Sequence, residues 1–115
     1  MDNREELLRR LVRFERPLEA LRPLLGAYVW DSDRELVRVA PADIENVLNL
    51  FREDQATAED VETWANAIEC RDDLAMTEHV ADVIFELANP LLTEPLTKER
   101  ALALLETLGG LPDAG

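Results

Sequence analysis

The chain is poor in the residues on which most enzyme chemistry is built. It carries one cysteine, Cys70, and one histidine, His79, in 115 residues. A lone cysteine excludes an intrachain disulfide, and neither a Cys-x-x-Cys pair nor a zinc-ligand spacing occurs. Only four glycines are present, and none builds a phosphate-cradling loop or a Gly-x-Ser-x-Gly nucleophile elbow. No apolar run approaches the ~18 residues of a membrane span. No basic leader followed by an apolar stretch announces secretion, so a cytoplasmic location is expected. Basic residues are scarce as well. Twelve Lys and Arg face 25 Asp and Glu, a net charge of -13, which repels nucleic acid and anionic membranes and favours a basic partner.

What the sequence does have is enough apolar material for one core. Hydrophobic residues make up 47% of it, and a chain of this length is expected to form a single domain that needs no metal or disulfide staple. The charge divides unevenly. Residues 1–40 balance eight acids with eight arginines, whereas 41–115 hold 17 acids and four bases, so the whole surplus belongs to the later segment.

The apolar pattern is helical. Leu7, Leu8, Leu11, Val12 and Phe14 recur at helix spacing, with Glu5–Arg9 and Glu6–Arg10 as i,i+4 pairs opposite, which predicts an arginine-rich first helix over 3–16. Tyr28-Val29-Trp30 and Leu36-Val37-Arg38-Val39 flank a polar Asp31-Ser32-Asp33 turn. This is the pattern of a short β-hairpin over 28–39 that would lie on helices. From Pro41 the stripes Ile44, Val47, Leu48, Phe51, then Val61, Trp64, Ala65, Ile68, then Met76, Val80, Val83, Ile84, Leu87, and finally Ala101, Leu102, Leu104, Leu105, Leu108 each mark one helix. Thr57 with Asp60 reads as a capping box, and Thr77 and Thr97 as further caps. Asn89-Pro90 and Gly109-Gly110 read as stops. The fold class is therefore mainly α: an antiparallel bundle of four to five helices, with an acidic four-helix part over 41–109.

Candidate chemistry is thin. His79, Asp82 and Glu86 fall on one helix face but lack the paired histidines or Glu-x-x-His repeats of a catalytic metal site, and read better as a solvated face than as ligands. Cys70 lies among Glu69, Asp72 and Asp73, whose charges oppose a thiolate. The Arg9, Arg13, Arg16 row is offset by Glu5, Glu6, Glu15 and Glu19, which argues against a nucleic-acid footprint. Trp64 belongs to the core stripe; Trp30, beside a turn, suits core or contact equally. No enzyme, cofactor or metal is expected. There remain the acids at 53–54, 59–73 and 78–86. They read either as a plain solvated face or as a joint patch on two helices that steers a basic protein into contact.

The run Val61-Glu62-Thr63-Trp64-Ala65-Asn66-Ala67-Ile68-Glu69-Cys70-Arg71-Asp72-Asp73, continued by Leu87-Ala88-Asn89-Pro90 and Leu96-Thr97, resembles a small, poorly characterised bacterial helical family. Through size, acidity and architecture it resembles the immunity proteins of the colicin D type, small acidic bundles that block a nuclease toxin. The resemblance covers about residues 28–108 and implies a stoichiometric inhibitor. Its carboxylates, Glu62, Glu69, Asp72 and Asp73 here, would fill a cationic cleft made for phosphate. The arginine-rich first helix departs from that pattern. Two other readings stand beside it. One takes Arg71 and Asp72 as an internal ion pair that fixes a helix corner. The other is a homodimerising structural or regulatory protein, joined through Leu7, Leu11 and Phe14.

Overall fold

Helix α1, Arg4–Val12, buries Leu7, Leu8, Leu11 and Val12 and keeps Glu5 and Arg9 paired at 3.0 Å on its outer side. The structure, a computed structural model, describes residues 4–14, 37–69, 71 and 74–109. The helix expected to reach residue 16 ends earlier. Phe14 adopts a left-handed backbone (φ 59°), and its N–H turns back to the Leu11 carbonyl at 3.0 Å. That conformation is costly for a residue with a Cβ, and it drives the Phe14 ring inward, where the side chain is buried.

Strand β1, Val37–Arg38, is the second arm of the expected hairpin; the first arm and turn, 28–36, lie outside the described residues. Its described partner is one the sequence did not suggest. β1 pairs in parallel with β2, Leu74–Ala75, in the register Val37 to Leu74 and Arg38 to Ala75, and Val39 donates to the Ala75 carbonyl at 2.8 Å. A parallel pair needs a long crossover, and here that crossover is the two helices α2, Pro41–Arg52, and α3, Ala58–Glu69.

Local signals set the helix limits. Pro41 opens α2 at a position where its missing N–H costs nothing. The Asp43 carboxylate accepts from Ala40 N at 2.8 Å, half of a capping box, since alanine has no acceptor to return the bond. At the other end Asp54 is left-handed (φ 62°), with Asp54 N bonded to Phe51 O and Gln55 N to Leu50 O, a Schellman close built on aspartate instead of glycine. The Thr57–Asp60 box that starts α3 is complete. Thr57 N donates to the Asp60 carboxylate at 2.9 Å, and Asp60 N to the Thr57 hydroxyl at 3.0 Å. Thr77 caps α4, Glu78–Ala88, and Thr97 caps α5, Lys98–Gly109, each hydroxyl accepting a backbone N–H three residues on.

The architecture is mainly helical, as the apolar stripes require. α2 packs chiefly on α5 and α3 on α4, while α1 lies against α3 and β1. Lys98 at the start of α5 meets Asp54 just past the end of α2 at 2.9 Å, so those two helices run in opposite directions. Ile44, Val47, Leu48, Val61, Trp64, Ala65, Ile68, Val80, Ile84 and Leu108 fill the centre. In α5 the buried stripe is Ala101, Leu104 and Leu108; Leu102, expected among them, stands exposed because it lies about a third of a turn from their axis.

Leu7, Leu11 and Phe14, named above as a contact for a second copy, are buried in the chain's own core. They therefore present no surface through which a homodimer could form.

Candidate functional site

The acidic residues of α3 owe their placement to what its other side buries. Trp64, fully buried, sends its indole N–H to the Leu11 carbonyl at 2.7 Å and meets the Phe14 ring edge-on with centroids 6.2 Å apart. The Leu11 carbonyl already accepts from Phe14 N at 3.0 Å, so the indole is its second donor, and the bond ties the last turn of α1 to α3 and fixes the rotation of α3. Val61, Ala65 and Ile68 complete the inner face. Glu59, Glu62, Asn66 and Glu69, at intervals of three, four and three, consequently fall on its flank and outer side, Glu62 half-buried and the other three exposed.

Of the four predicted site residues, Glu62 and Glu69 share this stripe, two turns and about 10 Å apart along the helix. Glu62 is half-buried at the rim of a cavity of about 130 Å³ that Ala58, Glu86, Leu87, Pro90 and Glu94 also line. Glu69 is exposed, and its carboxylate accepts from the Asn89 side-chain amide at 3.1 and 3.4 Å. Asn89 is held in turn by donating to the Phe85 carbonyl at 2.9 Å. Asp72 and Asp73 lie outside the described residues, as does Cys70. Their neighbour Arg71 is the one buried charged side chain among the described residues, and no buried side-chain nitrogen or oxygen there is left without a partner.

The acids do not all remain available. Glu86 is gripped by Arg100 through two hydrogen bonds, Nε to Oε2 at 2.7 Å and Nη2 to Oε1 at 2.6 Å, and Glu94 joins the same guanidinium at 2.8 Å. Hydrogen bonding to Glu86 raises the Arg100 pKa above its ordinary value, with the charges of Glu86 and Glu94 adding and partial burial opposing. Glu86 thus leaves the acidic patch and also the His79–Asp82–Glu86 face considered for a metal. Among the described residues no three His, Cys, Asp or Glu side chains converge as a metal site. By contrast, no lysine or arginine among the described residues forms an ion pair with Glu59, Glu62, Glu69, Glu78 or Asp82.

A second cleft, lined by Arg9, Arg13 and Arg38 with Asp43, lies where α1, β1 and α2 meet. It adds Arg38 to the arginine row seen in the sequence, a neighbour that only the strand pairing brings there. Its positive charge is offset in place by the Glu5–Arg9 pair and by the Asp43 carboxylate. Nor does the cavity beside Glu62 suit a small-molecule substrate, being well below the ~300 Å³ at which such pockets begin. No helix among the described residues is long and apolar enough to cross a membrane. Comparison with protein-family models, with curated proteins and with solved structures gives no match.

Proposed function

We propose that the protein is an acidic binding module that docks a basic protein partner through the outer face of α3, acting as an immunity-type stoichiometric inhibitor of a nuclease-like toxin. One observation carries this reading. Glu59, Glu62 and Glu69 form a single stripe along the flank and outer side of α3, with no cationic partner among the described residues, on a helix whose rotation is fixed from behind by the Trp64–Leu11 bond. Fixed carboxylates complement a cationic surface at little ordering cost, and unneutralised charge speeds encounter. Asp72 and Asp73, next in sequence to this stripe, are proposed to extend it. A nuclease cleft built for phosphate is the kind of cationic surface that such a row fits, and occupying it would exclude the nucleic acid. The chain itself carries no catalytic role in this reading, and its own net charge repels nucleic acid.

The test is a binding titration against the product of the adjacent gene, which this reading expects to be a basic protein, with Glu62→Lys/Glu69→Lys as the comparison. A complex that weakens by about a hundredfold on charge reversal, together with block of nuclease cleavage at one-to-one stoichiometry, is the expected outcome. Equal affinity for the reversed and native chains, or no complex at low ionic strength, would remove the proposal.

A further inference from the structure

Leucine seldom stands fully in water on an ordered turn, and this chain has two such residues side by side. Leu91 is 100% exposed and Leu92 76%. The turn that carries them is tied down: Leu92 N and Thr93 N both donate to the Asn89 carbonyl at 3.0 Å, and the Thr93 hydroxyl bonds the Asn89 and Glu86 carbonyls at 2.9 and 3.1 Å. One turn before Asn89 on the same stripe of α4 is Phe85, 46% exposed. A single residue therefore links two surfaces. The backbone of Asn89 anchors the leucine turn while its side-chain amide holds the carboxylate of Glu69. Glu78, Asp82, Phe85 and Asn89 follow one another at intervals of four, three and four, so the stripe passes from acidic to apolar as it approaches the turn.

We infer that Phe85, Leu91 and Leu92 form an apolar anchor that seats in a hydrophobic pocket on the basic partner, with Glu69, Asp82 and Glu78 meeting lysines or arginines at that pocket's rim. The inference rests on the acidic-face reading above and adds to it where the interface is centred. An apolar centre within a charged rim is the ordinary anatomy of a specific interface. Charge selects the occupant. Glu69, Asp82 and Glu78 form no ion pair among the described residues, and a second copy would bring two such rims together on chains of charge -13 each. A basic surface gains what a second copy would lose.

Two synthetic peptides of equal length and charge serve as probes, one of lysine and leucine with the leucines at i, i+3, i+4 and i+7 so that they share a helix face, the other with serine in place of leucine. Titrated at low ionic strength and followed by NMR, the leucine peptide is expected to bind about tenfold tighter, the equivalent of two buried methylenes, and to move the amides of Phe85, Leu91 and Leu92. Leu91→Ser/Leu92→Ser should abolish that preference, leave the serine peptide's affinity unchanged and keep the native melting temperature. Glu62→Gln/Glu69→Gln should weaken both peptides. A leucine preference that survives in the Leu91→Ser/Leu92→Ser chain overturns the anchor alone, as does a melting temperature lowered by several degrees. Failure of native chain to bind either peptide overturns the acidic-face reading along with it. A dimer in sedimentation equilibrium that the serine variant dissolves would assign the turn to a second copy and overturn the basic partner.

Discussion

Among the described residues two gatherings of carboxylates stand out, and they are chemically unlike. At the Arg100 corner, Glu86 and Glu94 converge on one guanidinium and their charge is largely answered within the fold. Along α3, Glu59, Glu62 and Glu69 have no such answer among the described residues, and the side chain that Glu69 bonds, Asn89, is neutral. Composition treats all five alike. What separates them is a single arginine that the chain returns to α4 from 14 residues downstream. The corner therefore belongs to stability, and the charge left unanswered lies on the α3 stripe and on Glu78 and Asp82 of α4.

The sharpest break would come from behind that face. Trp64→Ala removes a fully buried indole and leaves a cavity between α1 and α3, costing about 4 kcal/mol, a large share of a small domain's stability. Trp64→Phe keeps most of the packing but deletes the N–H donor to Leu11, and should cost about 1 kcal/mol. Urea unfolding of the two variants checks the order. If Trp64→Phe proved as damaging as Trp64→Ala, the hydrogen bond to α1 would outweigh the packing, and the rotation of α3 would rest on that bond alone.

A smaller effect is expected at the corner. Arg100→Ala leaves Glu86, mostly buried, beside Glu94 without their shared cation, and should cost about 1–2 kcal/mol once partial exposure is discounted. Because the Arg100 pKa is raised in the fold by Glu86 and Glu94, the arginine's own contribution is complete below its ordinary range for as long as those two carboxylates are ionised. On the alkaline side it fades as pH rises through the shifted value. The variant also turns the corner into a second unneutralised patch. If the two acidic regions differ only by their cation, Arg100→Ala should bind the lysine–serine peptide more tightly than the native chain does.

Much of the scaffold was legible beforehand because its signals are local. The Thr57–Asp60 box, the Thr77 and Thr97 caps and the stop at Asn89-Pro90 each depend on residues within a few positions of one another. The four stripes after Pro41 follow from the helical period. What escaped was set by long-range contact. A two-residue strand at Leu74–Ala75 has no periodicity to read, and it is a strand only because Val37–Arg38 lies alongside. The early end of α1 came from Phe14 packing on Trp64, 50 residues away. In the candidate site, Glu62 and Glu69 could be placed together from spacing, whereas Glu86 was counted with them until Arg100 claimed it. Leu91 and Leu92 fell outside every stripe. An apolar pair directly after a proline-terminated helix, with no period to join, was the available sign that they were not core.

The smallest expected effect is the most direct test of the contrast between the two regions. Glu62→Gln/Glu69→Gln removes two charges that no cation answers, so the double variant should change stability by no more than about 0.5 kcal/mol, in the favourable direction, because like charges along one helix stripe repel. Glu69→Gln keeps an acceptor for the Asn89 amide, which limits the loss on that side. Raising ionic strength should increase the native melting temperature by screening the -13 surplus, and should do so less in the double variant. A clear loss of stability on neutralising Glu62 and Glu69 would mean that these carboxylates act inside the fold as Glu86 does, and the α3 face would then have no claim to a partner that the Arg100 corner lacks.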